Sequence, residues 1–214
     1  MKLVLHNYWR SSASQRVRIA CGLKGLAYDY VVVNIVKRDQ FGDAYRAKNP
    51  MSQVPTLEVI EDSGARVHLT QSLPIIEYLE DRVPAPPLLP RDLYLRARAR
   101  GLAEIVNSGI QPLQNLTTTN QVKALGGDVT AWVTPFIADG LAAFAAAAAD
   151  VAGTFCVGDT PGLADCFLVP QLASARRFGV PYAHLPLLAE IEARCLALPA
   201  FARAAPEAQP DAVA

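Results

Sequence analysis

The feature that most constrains the fold is a change of pattern at a proline cluster between residues 84 and 90. Before this cluster the hydrophobic period switches repeatedly between that of strands and that of helices, and after it the strand-like alternation stops. Such a run of prolines neither continues a helix nor lies inside a sheet, which indicates a linker. The sequence therefore predicts an α/β domain over residues 1–83, a linker over 84–90 and an all-helical domain over 91–214.

The first domain has the pattern of a strand-helix-strand unit followed by a hairpin and a closing helix. Its first two strands lie close enough in sequence for a right-handed unit with parallel strands. Ser12 or Ser14 is expected to cap the intervening helix, which would end at Gly25. The expected strands are residues 2–8, 28–35, 56–60 and 66–69, and the closing helix is 73–81.

Long segments rich in alanine, leucine, arginine and glutamate favour helices in the second domain. The strongest helix candidates, separated by breaks that contain glycine or proline, are residues 91–110, 132–151, 162–178 and 186–196. The tail from 206 to 214 carries two prolines and little apolar material. We expect it to be a loosely held extension.

Composition excludes several classes of partner. Basic and acidic residues number 20 each, so there is no positive surplus to neutralise a nucleic-acid backbone. The longest strongly apolar run, 141–149, is far shorter than the ~20 residues of a membrane span, and the N-terminus shows no secretory signal. We expect a cytoplasmic protein with no membrane partner. The four cysteines are widely spaced, without a CxxC pair, which predicts reduced core residues and no metal site.

Residues 8–19 carry hydroxyl and guanidinium groups at the end of the first strand and the start of the first helix. Their sequence is Tyr-Trp-Arg-Ser-Ser-Ala-Ser-Gln-Arg-Val-Arg-Ile. Hydroxyl and amide donors in such a place can hold a thiolate, and Arg10 can bind an anion through two hydrogen bonds. The structural alternative is a capped helix with solvated arginines.

Two further segments, Val54-Pro55 and Gln71-Ser72, precede a predicted strand and a predicted helix. A cis bond at Pro55 would align the backbone of the preceding residue with an extended peptide, as in thioredoxin-like folds. The helix start at Ser72 offers amide donors and a positive dipole end to a carboxylate. Each segment also has a plain structural explanation, as a proline that opens a strand and a serine that caps a helix.

Residues 10–20 resemble the signature that opens the zeta class of glutathione transferases, whose members include maleylacetoacetate isomerases. Later segments resemble the same family in order, so that the resemblance spans nearly the whole chain. These segments are residues 49–57, 71–79, 109–116 and 163–171. The Ser-Ser pair combined with Gly-Ile-Gln-Pro-Leu-Gln-Asn is the most specific part of the match.

The resemblance implies a glutathione transferase fold, with an N-terminal thioredoxin-like domain that binds glutathione and a C-terminal helical domain that completes an acidic-substrate pocket. It also implies a homodimer. The implied reaction converts maleylacetoacetate to fumarylacetoacetate by thiolate addition, bond rotation and elimination, with glutathione as the cofactor. The enzyme must then keep the sulfur ionised and bind the carboxylates of the substrate.

By position, the resemblance assigns Ser11 as the catalytic serine that stabilises the thiolate, with Ser12 beside it. Arg10 is a candidate for the carboxylates of the substrate. Arg176 and Arg177 are further candidates, for which a solvated helix end is the alternative. The residues assigned to glutathione are Ser11, Ser12, Gln40, Val54, Gln71, Ser72, Gln111 and Asn115.

Three positions depart from the family pattern. Ala13 replaces a cysteine, Gln15 replaces an aromatic residue or histidine, and Gly162 replaces the serine or threonine that caps the helix bearing Asp165. Because the reacting sulfur belongs to glutathione, we expect Ala13 to leave isomerisation intact. Glycine is a tolerable cap, so the expected cost at Gly162 is only a few tenths of a kcal/mol.

Alternative functions remain open from the sequence. Residues 201–211 resemble maleylpyruvate isomerases, but Leu116-Thr117 lacks an arginine expected in that group. A transferase acting on small α-halo acids is a second alternative. A non-catalytic interaction protein is a third, and the retained Ser11 and Ser72 argue against it because a binding module needs no thiolate site.

Overall fold

The structure, a computed structural model, describes residues 1–213, and its contacts divide the chain into two compact units. One unit comprises Met1–Pro87 together with the segment that begins at Leu198, and the other comprises Leu88–Ala197. The division after Pro87 falls within the segment expected to be the linker. The C-terminal segment differs from the expectation, because the sequence analysis grouped it with the helical domain.

The first unit contains a four-stranded sheet with the strand order β2-β1-β3-β4. Strands β1 and β2 are parallel, whereas β3 is antiparallel to both β1 and β4. The predicted strand-helix-strand unit and hairpin are therefore confirmed. The elements are β1 (Lys2–Asn7), α1 (Ser12–Leu23), β2 (Asp29–Val32), a 3₁₀ turn (Asp39–Phe41), α2 (Asp43–Arg46), β3 (Thr56–Ile60), β4 (Arg66–Thr70), α3 (Ser72–Arg82), α10 (Pro199–Ala204) and a second 3₁₀ turn (Pro206–Ala208).

The two faces of the sheet differ in polarity. One face is apolar, and its most buried side chains are Leu3, Leu5, Leu57 and Val59. The neighbouring Asn7 on that face accepts a hydrogen bond from a side chain of α1, which places α1 over it. The other face carries His6 and Glu58, and the Tyr45 ring of α2 lies 6.3 Å from the His6 ring. Alternation along the strands thus separates an apolar core from a polar cluster.

The second unit is helical, as predicted. The helix expected over 91–110 is α-helical only as far as Glu104, where it widens into a π turn. Sequence periodicity also missed two short helices, α5 and α6. The elements are α4 (Leu93–Glu104), the π turn (Ile105–Ile110), α5 (Gln111–Gln114), α6 (Leu116–Ala124), α7 (Val129–Ala148), α8 (Leu163–Arg177) and α9 (Pro186–Leu196).

Helix α7 is long and apolar enough, by length and composition, to cross a membrane. Its buried residues recur at helical spacing and form one stripe, namely Val133, Ile137, Leu141, Phe144 and Ala148. Its other face includes the exposed Asp139. One-sided burial of this kind is the pattern of a helix that packs in a helical core. The absence of a membrane partner stays a prediction.

Gly162, a departure from the family pattern, precedes α8 and lies against the backbone of Leu88. A Cβ atom at Gly162 would stand 2.6 Å from the Leu88 carbonyl oxygen. That same oxygen accepts a hydrogen bond of 2.8 Å from the Leu163 amide. The close approach of the Leu88 backbone therefore explains the glycine. The prediction from the sequence considered only the effect of glycine as a helix cap.

The expectation of a loosely held tail is wrong for the described residues 206–213, and Ala214 lies outside them. Gln209 is buried, and its Nε2 donates to the carbonyl oxygens of Arg203 and Ala205 at 2.8 Å each. Asp211 accepts hydrogen bonds from two N-terminal residues, Trp9 and Tyr30. Hydrogen bonds from polar side chains hold this tail in place, because it contains too little apolar surface to be held by burial alone. A prediction based on hydropathy therefore missed its order.

Candidate active site

Ser11 caps α1, which corrects the expectation that Ser12 or Ser14 would do so. Its Oγ accepts a hydrogen bond of 3.2 Å from the Ser14 amide, and its own amide donates to the Tyr8 carbonyl at 3.1 Å. Ser12 is the first helical residue, and both Ser11 and Ser12 are half-buried. Because the Ser11 oxygen already accepts from the helix, its hydrogen can be donated to a bound anion.

Arg10 lies beside Ser11 with its side chain exposed. The guanidinium carbon lies 5.6 Å from the centroid of the Trp9 ring, which is a cation–π contact. Among the described residues no carboxylate forms an ion pair with Arg10. Its charge is therefore available to an acidic ligand beside the Ser11 hydroxyl.

A buried arginine connects the start of α1 with the start of α3. Nη1 of Arg16 donates to Ser72 Oγ over 3.1 Å, and both residues are less than 4% exposed. Ser72 is the first residue of α3 and not its cap, which is Gln71. Since Oγ of Ser72 accepts from Arg16, its hydroxyl hydrogen can point to a ligand. The first amides of α3 receive no side-chain cap, so they too remain suited to a carboxylate.

Gln71 has φ 67° and ψ 127°, an unusual conformation for a residue other than glycine. Its Nε2 donates to Gln53 Oε1 at 3.3 Å. The backbone carbonyl of Gln53 in turn accepts from Tyr45 Oη at 2.6 Å and from Asn49 Nδ2 at 2.7 Å. The following Val54–Pro55 bond is cis. The structure thus brings Gln71 and the segment before Val54 together, and a positive φ such as that of Gln71 is common at ligand sites.

Gln40 lies in the 3₁₀ turn after β2 and is 7% exposed. Its Nε2 makes one long hydrogen bond of 3.5 Å to the Ile35 carbonyl. Within residues 1–213, its buried Oε1 has no hydrogen-bond partner. Such an acceptor is costly to leave unpaired, so a ligand with N–H donors fits this position. A tripeptide supplies such donors, and the assignment of Gln40 to glutathione stays a prediction.

The second unit holds the remaining residues assigned to glutathione. Gln111 is half-buried at the start of α5, and Asn115 caps α6 by accepting the Thr117 amide at 3.0 Å. The sequence analysis missed the buried amide pair behind them, Gln114 and Gln171, which exchange hydrogen bonds of 2.8 and 3.1 Å. This pair joins α5 to α8 and fixes the segment that carries Gln111.

Arg176 and Arg177 lie at the end of α8 with exposed side chains. Arg176 pairs with Glu192 at 2.6 Å and also donates to the Tyr182 hydroxyl. Its charge is therefore partly balanced within the helical unit. The Arg177 guanidinium carbon lies 4.9 Å from the centroid of the Phe178 ring. A role for either arginine at the substrate stays a prediction.

The cysteines of the chain are unsuited to be the reacting sulfur. All four are buried, and none forms a disulfide within the described residues. Burial raises the pKa of the Cys21 thiol to about 12, so it stays protonated at neutral pH. A thiolate reaction at Ser11 therefore requires a sulfur brought by a ligand.

Glu58 forms a buried charge cluster on the polar face of the sheet. It accepts from His6 Nε2 at 3.1 Å and from Arg66 Nη1 at 2.7 Å, and Lys48 Nζ lies 3.4 Å away. The hydrogen bond from His6, aided by Arg66 and Lys48, lowers the pKa of Glu58 to about 2 although burial opposes this. This cluster joins Lys48, near α2, to three strands of the sheet.

The lowered pKa of Glu58 predicts an acid-sensitive contribution to stability. The ionised carboxylate stabilises the fold above its ordinary value of 4.5, and that contribution is lost as pH falls toward 2. Burial lowers the pKa of His6 below its ordinary value of 6.5. The stability lost through His6 therefore begins at a higher pH, as the pH falls below 6.5. Urea unfolding between pH 5 and 3 should show a steep loss in the wild type and a flatter profile in Glu58→Gln. Equal slopes would contradict this assignment.

Comparisons with known proteins place the chain in a family. The family model described as glutathione S-transferase, N-terminal domain, matches residues 5–87. A maleylpyruvate isomerase from Ralstonia sp is 46% identical, and the match covers 97% of this chain and 98% of that protein. A maleylpyruvate isomerase structure described as a bacterial zeta-class glutathione transferase has a TM-score of 0.91 and 44% identity, with all of both chains covered. The chain belongs to the zeta class of glutathione transferases.

A solved structure that contains ligands is also similar to this chain. Maleylacetoacetate isomerase from Anaeromyxobacter dehalogenans was solved with dicarboxyethyl glutathione and citrate in its active site. It shares 50% identity and a TM-score of 0.91 with this chain, covering 100% of this chain and 98% of its own. The zeta-class assignment confirms the family and the fold expected from residues 10–20 and the later segments.

Proposed function

We propose that this zeta-class protein is a glutathione-dependent isomerase that converts maleylacetoacetate to fumarylacetoacetate. The observation that carries the proposal is the geometry of Ser11. Its oxygen accepts from the Ser14 amide at 3.2 Å and its hydrogen remains available, while the side chain of the preceding residue, Arg10, is exposed. A hydroxyl donor for sulfur and a cation for a carboxylate are what an isomerase of this kind requires.

Glutathione fits the residues assigned to it in the first unit. The unpaired Oε1 of Gln40 suits an N–H donor, and the start of α3 at Ser72 suits a carboxylate. When bound, glutathione supplies a thiolate that adds to the cis double bond, permits rotation and leaves again. Ser11 then stabilises the ionised sulfur as a hydrogen-bond donor, and Arg10 orients the acidic substrate by its charge.

From the family resemblance, we assign Gln111 and Asn115 to glutathione and Arg176 and Arg177 to substrate carboxylates. The ligands of the Anaeromyxobacter relative, dicarboxyethyl glutathione and citrate, support a carboxylate-rich substrate class. Arg176 already has an ion pair with Glu192 at 2.6 Å, and both arginines stay candidates for the substrate carboxylates.

Maleylpyruvate is the second candidate substrate, because relatives of both names are similar to this chain. The lack of an arginine at Leu116-Thr117 favours maleylacetoacetate. Small α-halo acids remain a third candidate, since the same thiolate displaces a halide.

We further propose a cytoplasmic homodimer. The homodimer is what the family resemblance implies, and its candidate contacts are exposed apolar side chains, including Met51 and Val67 in the first unit and Leu93 and Tyr94 in the second.

The test compares the three substrates on one preparation, with and without glutathione. We expect rapid isomerisation of maleylacetoacetate that requires glutathione, with maleylpyruvate slower. Faster turnover of maleylpyruvate than of maleylacetoacetate would make maleylpyruvate the leading substrate. Glutathione binding by calorimetry without isomerisation of either maleyl compound would overturn the proposed reaction while leaving the family unaffected.

A further inference from the structure

Helix α10 and the residues that follow it, 199–213, together form the C-terminal tail of the unit that carries Ser11. Its helix α10 packs on α1, where Phe201 is 1% exposed. A Cβ atom at Gly22 of α1 would stand 3.1 Å from the Cα of Ala200, so the two helices approach closely. The hydrogen bonds of the Gln209 amide to Arg203 and Ala205 fold the remaining residues back onto α10. The tail is thus an ordered part of this unit.

Asp211 connects this tail to the loop between β1 and α1. Its Oδ2 accepts a hydrogen bond of 3.1 Å from the Trp9 amide, and its Oδ1 accepts one of 2.5 Å from the Tyr30 hydroxyl. Trp9 directly precedes Arg10 and is two residues from Ser11. Tyr30 belongs to β2, which pairs with β1. The carboxylate therefore ties the loop both to the tail and to the sheet.

Arg18 provides a second connection from the interior of α1. Its side chain is 2% exposed, and Nη2 donates to the carbonyls of Trp9 at 2.9 Å and Ala204 at 3.2 Å. Nη1 donates to the Asn7 side chain at 2.9 Å and to the Tyr8 carbonyl at 3.3 Å. Both backbone polar groups of Trp9 are therefore bonded to side chains that the tail supplies or contacts.

We infer that the tail is a positioning element for the active-site loop and that Asp211 is its positioning residue. Asp211 fixes the Trp9 amide, which sets where the Arg10 guanidinium and the Ser11 hydroxyl stand relative to a bound substrate. This inference rests on the proposed function of Ser11 and Arg10. Displacements of about 1 Å in such groups can lower turnover about 100-fold without loss of the fold.

The predicted signature separates turnover from glutathione binding. Gln40, Val54, Gln71 and Ser72 lie outside the loop, so releasing Trp9 should leave most contacts to glutathione intact. Asp211→Ala should therefore lower kcat by about 10- to 100-fold while the Kd of glutathione changes less than about 3-fold. A general weakening of the unit would instead impair binding and turnover together.

Two further variants act as controls. Asp211→Asn can still accept from Trp9 and can donate to Tyr30, so it should recover most of the turnover lost in Asp211→Ala. Glu207→Gln removes an exposed carboxylate from the same tail. This variant removes one negative charge, as the Asp211 variants do, but within residues 1–213 Glu207 forms no hydrogen bond or ion pair with the loop. It should therefore leave kcat within about 2-fold of the wild type.

Amide hydrogen exchange gives a readout that does not depend on turnover. The Trp9 amide should be protected in the wild type and in Asp211→Asn but exchange rapidly in Asp211→Ala. If the wild type isomerises neither maleyl compound, the proposed function fails, whereas this protection pattern would still support the positioning role. The inference would be overturned if Asp211→Ala turned over substrate as fast as the wild type. It would also be overturned if the Trp9 amide were equally protected in the wild type and in Asp211→Ala.

Discussion

Ser11→Ala is expected to lower glutathione-dependent isomerisation by about 100- to 1000-fold. The hydroxyl is the proposed donor to the thiolate, and alanine leaves that charge without its stabilising hydrogen bond. Glutathione should still bind through Gln40 and Ser72, with a higher pKa of the bound thiol. Ultraviolet absorbance of the thiolate as a function of pH measures this shift directly.

The same substitution also removes the cap of α1, at a cost of about 1 kcal/mol. Kinetics should therefore be measured at a temperature at which circular dichroism shows the variant to be folded. Ser14→Ala is the matched control, because its hydroxyl oxygen is buried without a partner among the described residues. Turnover of Ser11→Ala close to that of Ser14→Ala would remove Ser11 from the mechanism.

Asp165→Asn is expected to cost about 2–4 kcal/mol of unfolding free energy. The side chain is 1% exposed, with Oδ1 accepting the Cys156 amide at 3.0 Å and Oδ2 accepting the Gly162 amide at 2.8 Å. The Cys195 thiol lies 3.7 Å from Oδ1. Because both oxygens accept from backbone N–H groups, an amide of the same shape must place its NH₂ against one of these donors.

Urea unfolding of the purified protein measures this loss. Asp139→Asn, an exposed acid on α7, is the matched control and should change stability by less than about 0.5 kcal/mol. Burial raises the pKa of Asp165, which would favour its neutral form. A neutral Asp165 would still accept from both amides, because the oxygen of a carboxyl OH group keeps its lone pairs, so the cost is expected for either form. A cost below about 1 kcal/mol would contradict the role of these two hydrogen bonds.

Local patterns were sufficient to predict several elements of the fold. The alternation in β1 and the hairpin at β3 and β4 follow from a period of two, which any half-buried strand must have. Helix α9 begins at Pro186 and ends at Leu196, as predicted. These features depend on neighbours in the sequence, so the sequence contains the information needed to place them.

Buried arginines show where sequence reasoning stopped early. Arg16 and Arg18 are two residues apart on α1, so they point to nearly opposite sides of the helix and cannot both face solvent. The spacing of the two arginines therefore indicated that at least one of them is buried, but the sequence did not show which residues they contact. Ser72 is 56 positions from Arg16 and Ala204 is 186 positions from Arg18, so they meet the arginines only in the folded unit. Asn7, in the preceding strand, is 11 positions from Arg18.

The sequence by itself determined the two kinds of domain, the zeta-class resemblance and the chemistry available at Ser11 and Arg10. Those properties reside in residue type, spacing and period. Only the tertiary structure decided that Ser11 caps α1, that Gly162 avoids the Leu88 carbonyl and that Asp211 bonds to Trp9. The last two depend on atoms brought together by packing, since Trp9 and Asp211 are 202 positions apart. The first is a local contact between Ser11 and Ser14, and it depends on where among three neighbouring serines α1 begins.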